Sequence, residues 1–390
     1  MKDGKSILIT STDVMMFQFL VPYVNYLALK GFHVDVACSS AELYEKEGYF
    51  KKIKESVPAG CKVYHIRTKR NPFDIHNIDG LIDLKRIINI ENYNLIWTNE
   101  PVMGVMTRVA AIRARRHGTK VMYMAHGYHF FKGASVKNWV FYPIEKLMSH
   151  FCDAIVVINW EDYYLTKNKF NIPVFHINGI GVELNKFSNV LVDKKQKRKE
   201  LGINDNEVIV ISVGELQTRK NQEVALRAIA KLSNKNVRYI LCGTGELKDR
   251  YINLSKELGI ENQVKLLGHR YDVPEILAVS DIFVHPSQRE GFGISVIEAM
   301  AVGLPLVTSN VQGIKDYMVN GVNGYMCNPF DVSSFTKAIK HLVENPSIRK
   351  KMSLVNIEKA KQYSVGNSIK EVDEVIQNIL KPNNKTAVGR

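Results

Sequence analysis

The sequence predicts an α/β protein made of two doubly wound, Rossmann-like parallel-sheet domains, and three observations carry that reading. Short β-rich apolar runs alternate with segments of helical period along almost the whole chain. The runs are continuously apolar, the mark of strands covered on both faces by helices. At 390 residues the chain is too long for one ordinary core and suited to two.

In order, the first set of runs covers residues 6–10, 34–38, 63–66, 95–98, 121–125, 154–158 and 174–177. A polar, basic stretch follows, Asp193-Lys-Lys-Gln-Lys-Arg-Lys-Glu200, and the alternation restarts at 208–213, 238–242, 264–267, 282–285, 306–308 and 324–327. The boundary is therefore expected near 183–200, separating an N-terminal domain over 1–185 from a C-terminal domain over 186–364. Asn178-Gly-Ile-Gly-Val-Glu183 reads as hinge and crossover. Ile369, Val372, Val375, Ile376, Ile379 and Leu380 fall at helical spacing, predicting a packing helix over 365–380 with Ser368 as its cap. The polar tail 381–390 is expected to be disordered. Ligands of doubly wound sheets lie at the carboxyl ends of the strands, so two such domains facing each other would leave a binding cleft.

Composition narrows the class further. Hydrophobic content of 45% and charged content of 24% are ordinary for a soluble globular protein. The five cysteines (38, 61, 152, 242 and 327) are scattered and odd in number, which argues against a disulfide framework or a zinc site and fits a reducing cytosol. Ile7-Leu-Ile-Thr10 is too short for a signal peptide, and no run approaches the ~20 apolar residues of a membrane span. Membrane contact is accordingly expected to be peripheral.

The net charge is +14, and residues 101–150 hold eight basic residues (108, 113, 115, 116, 120, 132, 137 and 146) against a single acid, Glu145. Tyr123, Tyr128, Phe130, Phe131, Trp139, Phe141 and Tyr142 are interleaved with them. Singly, most read as a solvated helix face beside a core. Together they suit an anionic surface, where each Lys or Arg contributes about 1 kcal/mol. A membrane ranks ahead of nucleic acid because no nucleic-acid-binding motif accompanies the charge.

The chemistry-bearing motifs follow predicted strands. In His285-Pro-Ser-Gln-Arg-Glu-Gly-Phe-Gly-Ile-Ser-Val-Ile-Glu298, a strand leads to a glycine-rich turn and then to a helix read over 295–301. Unpaired N–H groups and the helix dipole favour an anion there, and Gly291 and Gly293 allow close backbone approach. Glu290 and Glu298 are carboxylates suited to sugar hydroxyls. Val213-Gly-Glu-Leu-Gln-Thr-Arg-Lys-Asn221 offers Gly214 for a turn, with Arg219 as a planar fork and Lys220 as a point charge for a diphosphate. Cys242-Gly-Thr-Gly-Glu246 reads as a turn-shaping Gly-x-Gly. Ala125-His-Gly-Tyr-His-Phe-Phe131 sets His126 at a strand's carboxyl end; a lone histidine is usually structural, but its setting favours a site role.

Together, Glu290-(seven residues)-Glu298, Gly303-x-Pro305, the loop Lys220 and Ala-His126-Gly resemble the retaining glycosyltransferases of family 4, which have the GT-B fold. Arg70-Asn-Pro-Phe73, Pro101-Val-Met-Gly-Val-Met-Thr-Arg108, His126–Gly133 and Trp139–Glu145 resemble a subgroup that builds bacterial exopolysaccharide and capsule. The likeness spans most of residues 1–380, including a C-terminal helix that crosses back onto the first domain.

The resemblance implies transfer of a sugar from a nucleotide donor, by default a UDP-sugar, with anomeric configuration retained. Carried over, His126, Glu290 and Lys220 would act at the reacting centre. Arg219, Lys220, Gly214, the backbone of Gly291, Phe292, Gly293 and Ile294, and Glu298 would hold the donor. Asn99, Gly127 and Tyr128 would lie on the acceptor side, and 269–273 would border the base. No metal or cofactor is implied, because Lys220, helix dipoles and amides would stabilise the leaving diphosphate. The implied acceptor is a polyprenyl-diphosphate-linked saccharide, met by a cytoplasmic enzyme peripheral to the inner face of the membrane. Glu215 stands where many members carry Arg, with Arg219 able to supply that charge. Asn99 stands where the subgroup often has His, and 11–17, read as a loop, lacks the broader family's paired glycines. The competing readings are a nucleotide-sugar epimerase of the same architecture, a nucleic-acid-binding protein using the basic segment, and a scaffold that has lost catalysis.

Overall fold

Each apolar run read as a strand is one. Within the residues that this computed structural model describes, 5–39 and 48–381, thirteen strands form two sheets in which every pairing is parallel. The chain divides into two units, one reaching Ile180 and resuming at Gly366, the other spanning Gly181–Val365.

The first unit's sheet has the order β3-β2-β1-β4-β5-β6-β7. These strands are β1 Ser6–Asp13, β2 His33–Ser39, β3 Val63–His65, β4 Leu95–Asn99, β5 Lys120–Ala125, β6 Ala154–Val157 and β7 Val174–His176. Every residue of β4 and β6 is buried. Successive side chains of a strand point to opposite faces, so such runs need cover on both sides. That cover includes helices α1 (Val21–Leu29), α2 (His76–Glu91), α3 (Pro101–Ala110), α4 (Phe141–Met148) and α5 (Trp160–Lys169). Proline opens α3, where its missing N–H removes nothing from the helix ladder. The Asn159 side chain caps α5 by accepting from the Asp162 N–H at 2.8 Å. The segment expected as a loop over 11–17 instead extends β1 to Asp13 and continues as a helical turn, Val14–Phe17.

The second unit's sheet has the order β10-β9-β8-β11-β12-β13. Its strands are β8 Val208–Val213, β9 Val237–Cys242, β10 Val264–Gly268, β11 Ile282–His285, β12 Leu306–Ser309 and β13 Gly324–Cys327. Helix α6 (Gln222–Leu232) buries Leu226 and Ile229 in a core shared with Val210, Tyr239 and Ile282. Helix α7 (Ile294–Val302) starts one residue earlier than expected and ends at Gly303, whose φ of 91° suits glycine. In both sheets the strand order reverses beside the first strand, and the flanking loops open at that switch point.

The boundary falls earlier than 183–200. The polar, basic stretch within the expected boundary is a helix, Lys194–Glu200, capped by Asp193. Its Lys197 is buried and pairs with Asp272 at 2.5 Å and Glu275 at 2.8 Å, which makes the segment part of the second unit. The chain crosses between the units within Asn178-Gly-Ile-Gly-Val-Glu183, the stretch read as hinge and crossover. Gly181 has φ of 70°, and a Cβ there would come within 2.4 Å of Val365 Cα.

The last helix, α8 (Val365–Leu380), packs on the first unit. Ser368 lies inside it and is not its cap. The Ser368 hydroxyl donates to Gly179 O at 2.5 Å and lies 2.6 Å from the Tyr23 hydroxyl. Glu371 accepts from the Asn178 backbone N–H at 2.8 Å, and Asp373 pairs with Lys30. Val372, Val375 and Ile376 are buried beneath these contacts. Residues 382–390, most of the tail expected to be disordered, lie outside the described residues.

Burial also revises the charge reading. Arg108 is fully buried: Nη2 donates to Glu145 Oε2 at 2.8 Å, Nε donates to Gly104 O at 2.8 Å, and the guanidinium lies 4.0 Å from the centre of the Tyr123 ring. Arg115 and Lys120 both pair with Asp153. The basic cluster is therefore smaller at the surface than the sequence count suggests. All five cysteines are free.

Candidate functional site

Strands β8 and β11 are neighbours at the switch point of the second sheet, so the loops leaving their carboxyl ends meet. Hydrogen bonds fasten those loops together. The Gln288 N–H donates to Arg219 O at 2.8 Å, and Asn221 Nδ2 donates to Pro286 O at 3.0 Å and to Pro329 O at 2.7 Å. Asn221 holds φ of 58°, a left-handed conformation that asparagine tolerates.

This fastening converges three donors on one carboxylate oxygen. Glu290 Oε2 lies 2.7 Å from Lys220 Nζ, 3.1 Å from His285 Nε2 and 3.4 Å from Arg219 Nη1. Burial alone would raise the Glu290 carboxyl, but Lys220, His285 and Arg219 outweigh it and hold the group well below the usual range. Glu290 is therefore an anion. His285 is buried, which lowers its basicity against the opposing pull of Glu290. Its Nε2 also lies 3.0 Å from Ser287 Oγ.

Glycines shape the surrounding backbone. Gly214 has φ of 147° and lies against the Lys220 stem, whose Cε would be 3.6 Å from an added Cβ. At Gly243 a Cβ would fall 2.0 Å from Gly214 O, and at Gly245 it would fall 2.4 Å from Leu216 O. The Gly-x-Gly turn thus packs against the β8 loop and supports it. Beyond Glu290, Gly293 (φ 83°) opens α7, and the Tyr317 hydroxyl donates to Phe292 O at 2.7 Å. Phe292 itself is buried with Tyr317 and Tyr363, so its ring belongs to the core and only its backbone is available to a ligand.

Glu298 lies one turn into α7. Burial pushes its carboxyl up to about 7, opposed by Lys186. The two glutamates of the motif therefore stand in opposite electrostatic settings, one held ionised and the other near half-ionised at neutral pH. Glu215 is exposed, and its backbone carbonyl accepts from Gln222 Nε2 at 2.9 Å. Within 269–273, Arg270 and Asp272 form an ion-pair cluster with Lys197 and Glu200.

On the first unit, β4 and β5 end side by side, bringing Asn99 to His126. His126 Nε2 lies 3.0 Å from Asn99 Oδ1, and Asn99 Nδ2 donates to Thr10 O at 3.0 Å. With its amide nitrogen so engaged, Asn99 presents an acceptor and His126 Nε2 is the donor. Burial pushes His126 down to about 4, so the ring is neutral at physiological pH and Nδ1 is its acceptor nitrogen. Gly127 follows with φ of 108°. Glu100 holds φ of 66°, a strained value for glutamate, and its carboxylate accepts from Ser11 Oγ at 2.8 Å and the Thr12 N–H at 2.6 Å.

Two residues assigned to the acceptor side take other positions. Asn99 is fully buried and orients His126. The Tyr128 ring is buried, stacked on Phe130 at 4.7 Å, and its hydroxyl accepts from Thr166 at 3.2 Å. In contrast, the sequence motifs contain His285 and Asn221 but give neither a role. The available signal was their place at the carboxyl end of β11 and at the start of α6. Among the described residues, no three His, Cys, Asp or Glu side chains are grouped to hold a metal ion, and no helix is long and apolar enough to cross a membrane.

Comparison with known proteins gives this two-sheet α/β chain its class. Residues 8–159 match the glycosyl transferase 4-like model, and residues 193–360 match the model for glycosyl transferases group 1. The chain is 31% identical over 378 residues to EpsD of Bacillus subtilis (strain 168), named as a glycosyltransferase, covering 95% of this chain and 96% of the relative. It is 29% identical over 286 residues to the UDP-Gal:α-D-GlcNAc-diphosphoundecaprenol α-1,3-galactosyltransferase of Escherichia coli, covering 71% of this chain and 73% of that one. Among solved structures, Anabaena Alr3699/HepE in complex with UDP and glucose aligns with a TM-score of 0.78 at 19% identity, over 96% of this chain and 100% of that one. The chain belongs to the group 1, family 4-like glycosyltransferases and has the GT-B fold.

Proposed function

We propose that this glycosyltransferase moves a hexosyl or N-acetylhexosaminyl group from a UDP-sugar to a polyprenyl-diphosphate-linked saccharide, with retention and without a metal, in bacterial exopolysaccharide or capsule biosynthesis. It works in the cytoplasm, peripheral to the inner face of the membrane that carries the acceptor. The observation that carries this reading is the meeting of Lys220, Arg219 and His285 on Glu290 Oε2. A diphosphate next to Lys220 and Arg219 replaces part of the charge that Glu290 now satisfies. The ionised Glu290 is then suited to accept hydrogen bonds from the sugar's hydroxyls. The amides at the start of α7 add positive potential toward the leaving group.

Glu298 is the residue for the ribose hydroxyls, and neutral His126 offers Nδ1 to a hydroxyl of the transferred sugar. Retention would follow from attack by the acceptor on the leaving-group face, assisted by the departing diphosphate. The name of the Escherichia coli relative supports a UDP-sugar donor and a diphosphoundecaprenol-linked acceptor. The test is a thermal-shift panel of nucleotides and nucleotide sugars. A ligand at 100 times its Kd stabilises the folded state by about 2.7 kcal/mol. UDP and UDP-sugars should raise the midpoint more than adenine nucleotides do; no shift with any nucleotide would overturn the reading.

A further inference from the structure

A group of aromatic side chains gathers at the carboxyl end of β6, beside His126. Asn159 caps α5, so Trp160 opens that helix three residues past Val157, the last residue of β6. Across the sheet, Val157 pairs with Ala125 of β5 on one side and with His176 of β7 on the other. Trp160, His176 and His126 therefore stand on one rim of the first sheet, with strand spacing placing the aromatic group roughly 5–10 Å from the end of β5. The loop after β5 is tied to the first turn of α5. The Tyr128 N–H donates to Asp162 Oδ2 at 3.0 Å, and the Lys132 N–H donates to Glu161 Oε1 at 3.1 Å.

Neighbouring rings hold Trp160 as a platform. His176 stacks on it with ring centres 3.8 Å apart and planes 16° from parallel, and Tyr163 meets it edge-on at 5.3 Å. His176 Nε2 is buried and makes no hydrogen bond among the described residues, so the imidazole serves the stack by its face. Trp160 nevertheless stays 42% exposed. With one face covered, that exposure falls on the other face and the ring edge. Tyr164 lies one turn further on, is 57% exposed and extends the surface, its ring 5.9 Å away and tilted by 30°. A ring fixed by its neighbours gives up little further freedom on binding.

A pyranose suits such a surface, because its C–H face packs on an aromatic ring while its hydroxyls stay at the wet rim. Glu161 and Asp162 on the same turn set the platform apart from a surface built for anionic lipid. Asn99 and Tyr128 are turned inward, so the acceptor side of this sheet must draw on other side chains.

We infer that Trp160, extended by Tyr164, is a stacking subsite for a sugar ring of the saccharide acceptor, one removed from the hydroxyl that reacts beside His126. The inference rests on the proposed function for the identity of the acceptor.

The test passes the full chain over an array of bacterial mono- to tetrasaccharides and titrates the best-retained glycan against tryptophan emission. The wild type should retain glycans of two or more sugars and change its emission on binding. Trp160→Ala should weaken that binding about tenfold. Trp160→Phe should keep most of the binding and lose the emission change, a readout that a merely structural role leaves in place. Equal thermal midpoints separate recognition from folding, and should Trp160→Ala not fold, the exposed Tyr164→Ala carries the test through a several-fold loss. No glycan retained by the wild type, or equal retention by all variants, would overturn the inference. Binding to phosphatidylcholine vesicles that is lost in Trp160→Ala, with glycan retention unchanged, would overturn it in favour of lipid. Should glycans bind through Trp160 while no nucleotide raises the midpoint, the proposed function fails and the subsite stands.

Discussion

Replacing Glu298 with glutamine keeps the side chain's shape and removes its titration, which isolates the effect of its buried setting. Burial raises the Glu298 carboxyl from 4.5 to about 7, against the pull of Lys186. Between those values the folded protein holds a proton that the unfolded chain has released. Stability is therefore full below the unfolded value, falls as pH rises through the window, and levels off above about 7. At 1.36 kcal/mol for each pH step, the loss reaches at most about 3 kcal/mol at pH 8.

Glu298→Gln should recover most of that loss at pH 8 and less than about 1 kcal/mol at pH 5. For a unit of this size each kcal/mol moves the midpoint by about 2–4 °C, so the gain at pH 8 is at most about 6–12 °C. Scanning calorimetry of both proteins at the two pH values measures the difference. Equal gains at both pH values, or a loss at pH 8, would show that Glu298 is already ionised in the free protein. A second readout tests its role. If Glu298 accepts ribose hydroxyls as an anion, UDP affinity rises with pH through 7 in the wild type and stays flat in the glutamine variant.

The remaining predictions concern the other ionic centres. Glu290→Ala and Lys220→Ala should each lower turnover by at least about a hundredfold while the protein stays folded; near-wild-type turnover in both would reject their assignment. Glu145→Gln leaves Arg108 buried without its counter-charge and should destabilise the first unit by about 3–5 kcal/mol, read by denaturant unfolding. His126, pushed down to about 4 by burial, takes up a proton more readily when unfolded, so its contribution is present above pH 6.5 and is lost as pH falls through 4. His126→Gln should reduce that acid sensitivity, seen as a flatter midpoint between pH 6.5 and 4.

The sites were legible in the sequence to the extent that topology determines them. Once β8 and β11 are recognised as parallel strands on either side of a switch point, the loops after them must meet, so Lys220 and Glu290 can be paired although 70 residues separate them. What topology leaves open is the direction of a side chain in a strand buried on both faces. Asn99 ends such a strand, and with no polar face to mark the period, nothing in the run Leu95-Ile-Trp-Thr-Asn99 tells inward from outward. Its amide turns inward to Thr10 and His126, and the residue read as an acceptor contact instead supports the His126 ring.

Charge poses the same difficulty over a longer range. Arg108 counts as surface charge until Glu145, 37 residues later, reaches it, and the cue in sequence is a small one. Gly104 lies one helical turn before Arg108, accepts from its Nε, and has no Cβ, where one would fall 2.5 Å from the Tyr123 ring. A glycine one turn before an arginine thus makes room for the aromatic ring over which the guanidinium lies. Burying that pair also removes the segment's only acid from the surface, leaving the lysines around α4 unopposed. Within residues 101–150, one ion pair thus sets both a buried contact and the sign of the charge left at the surface.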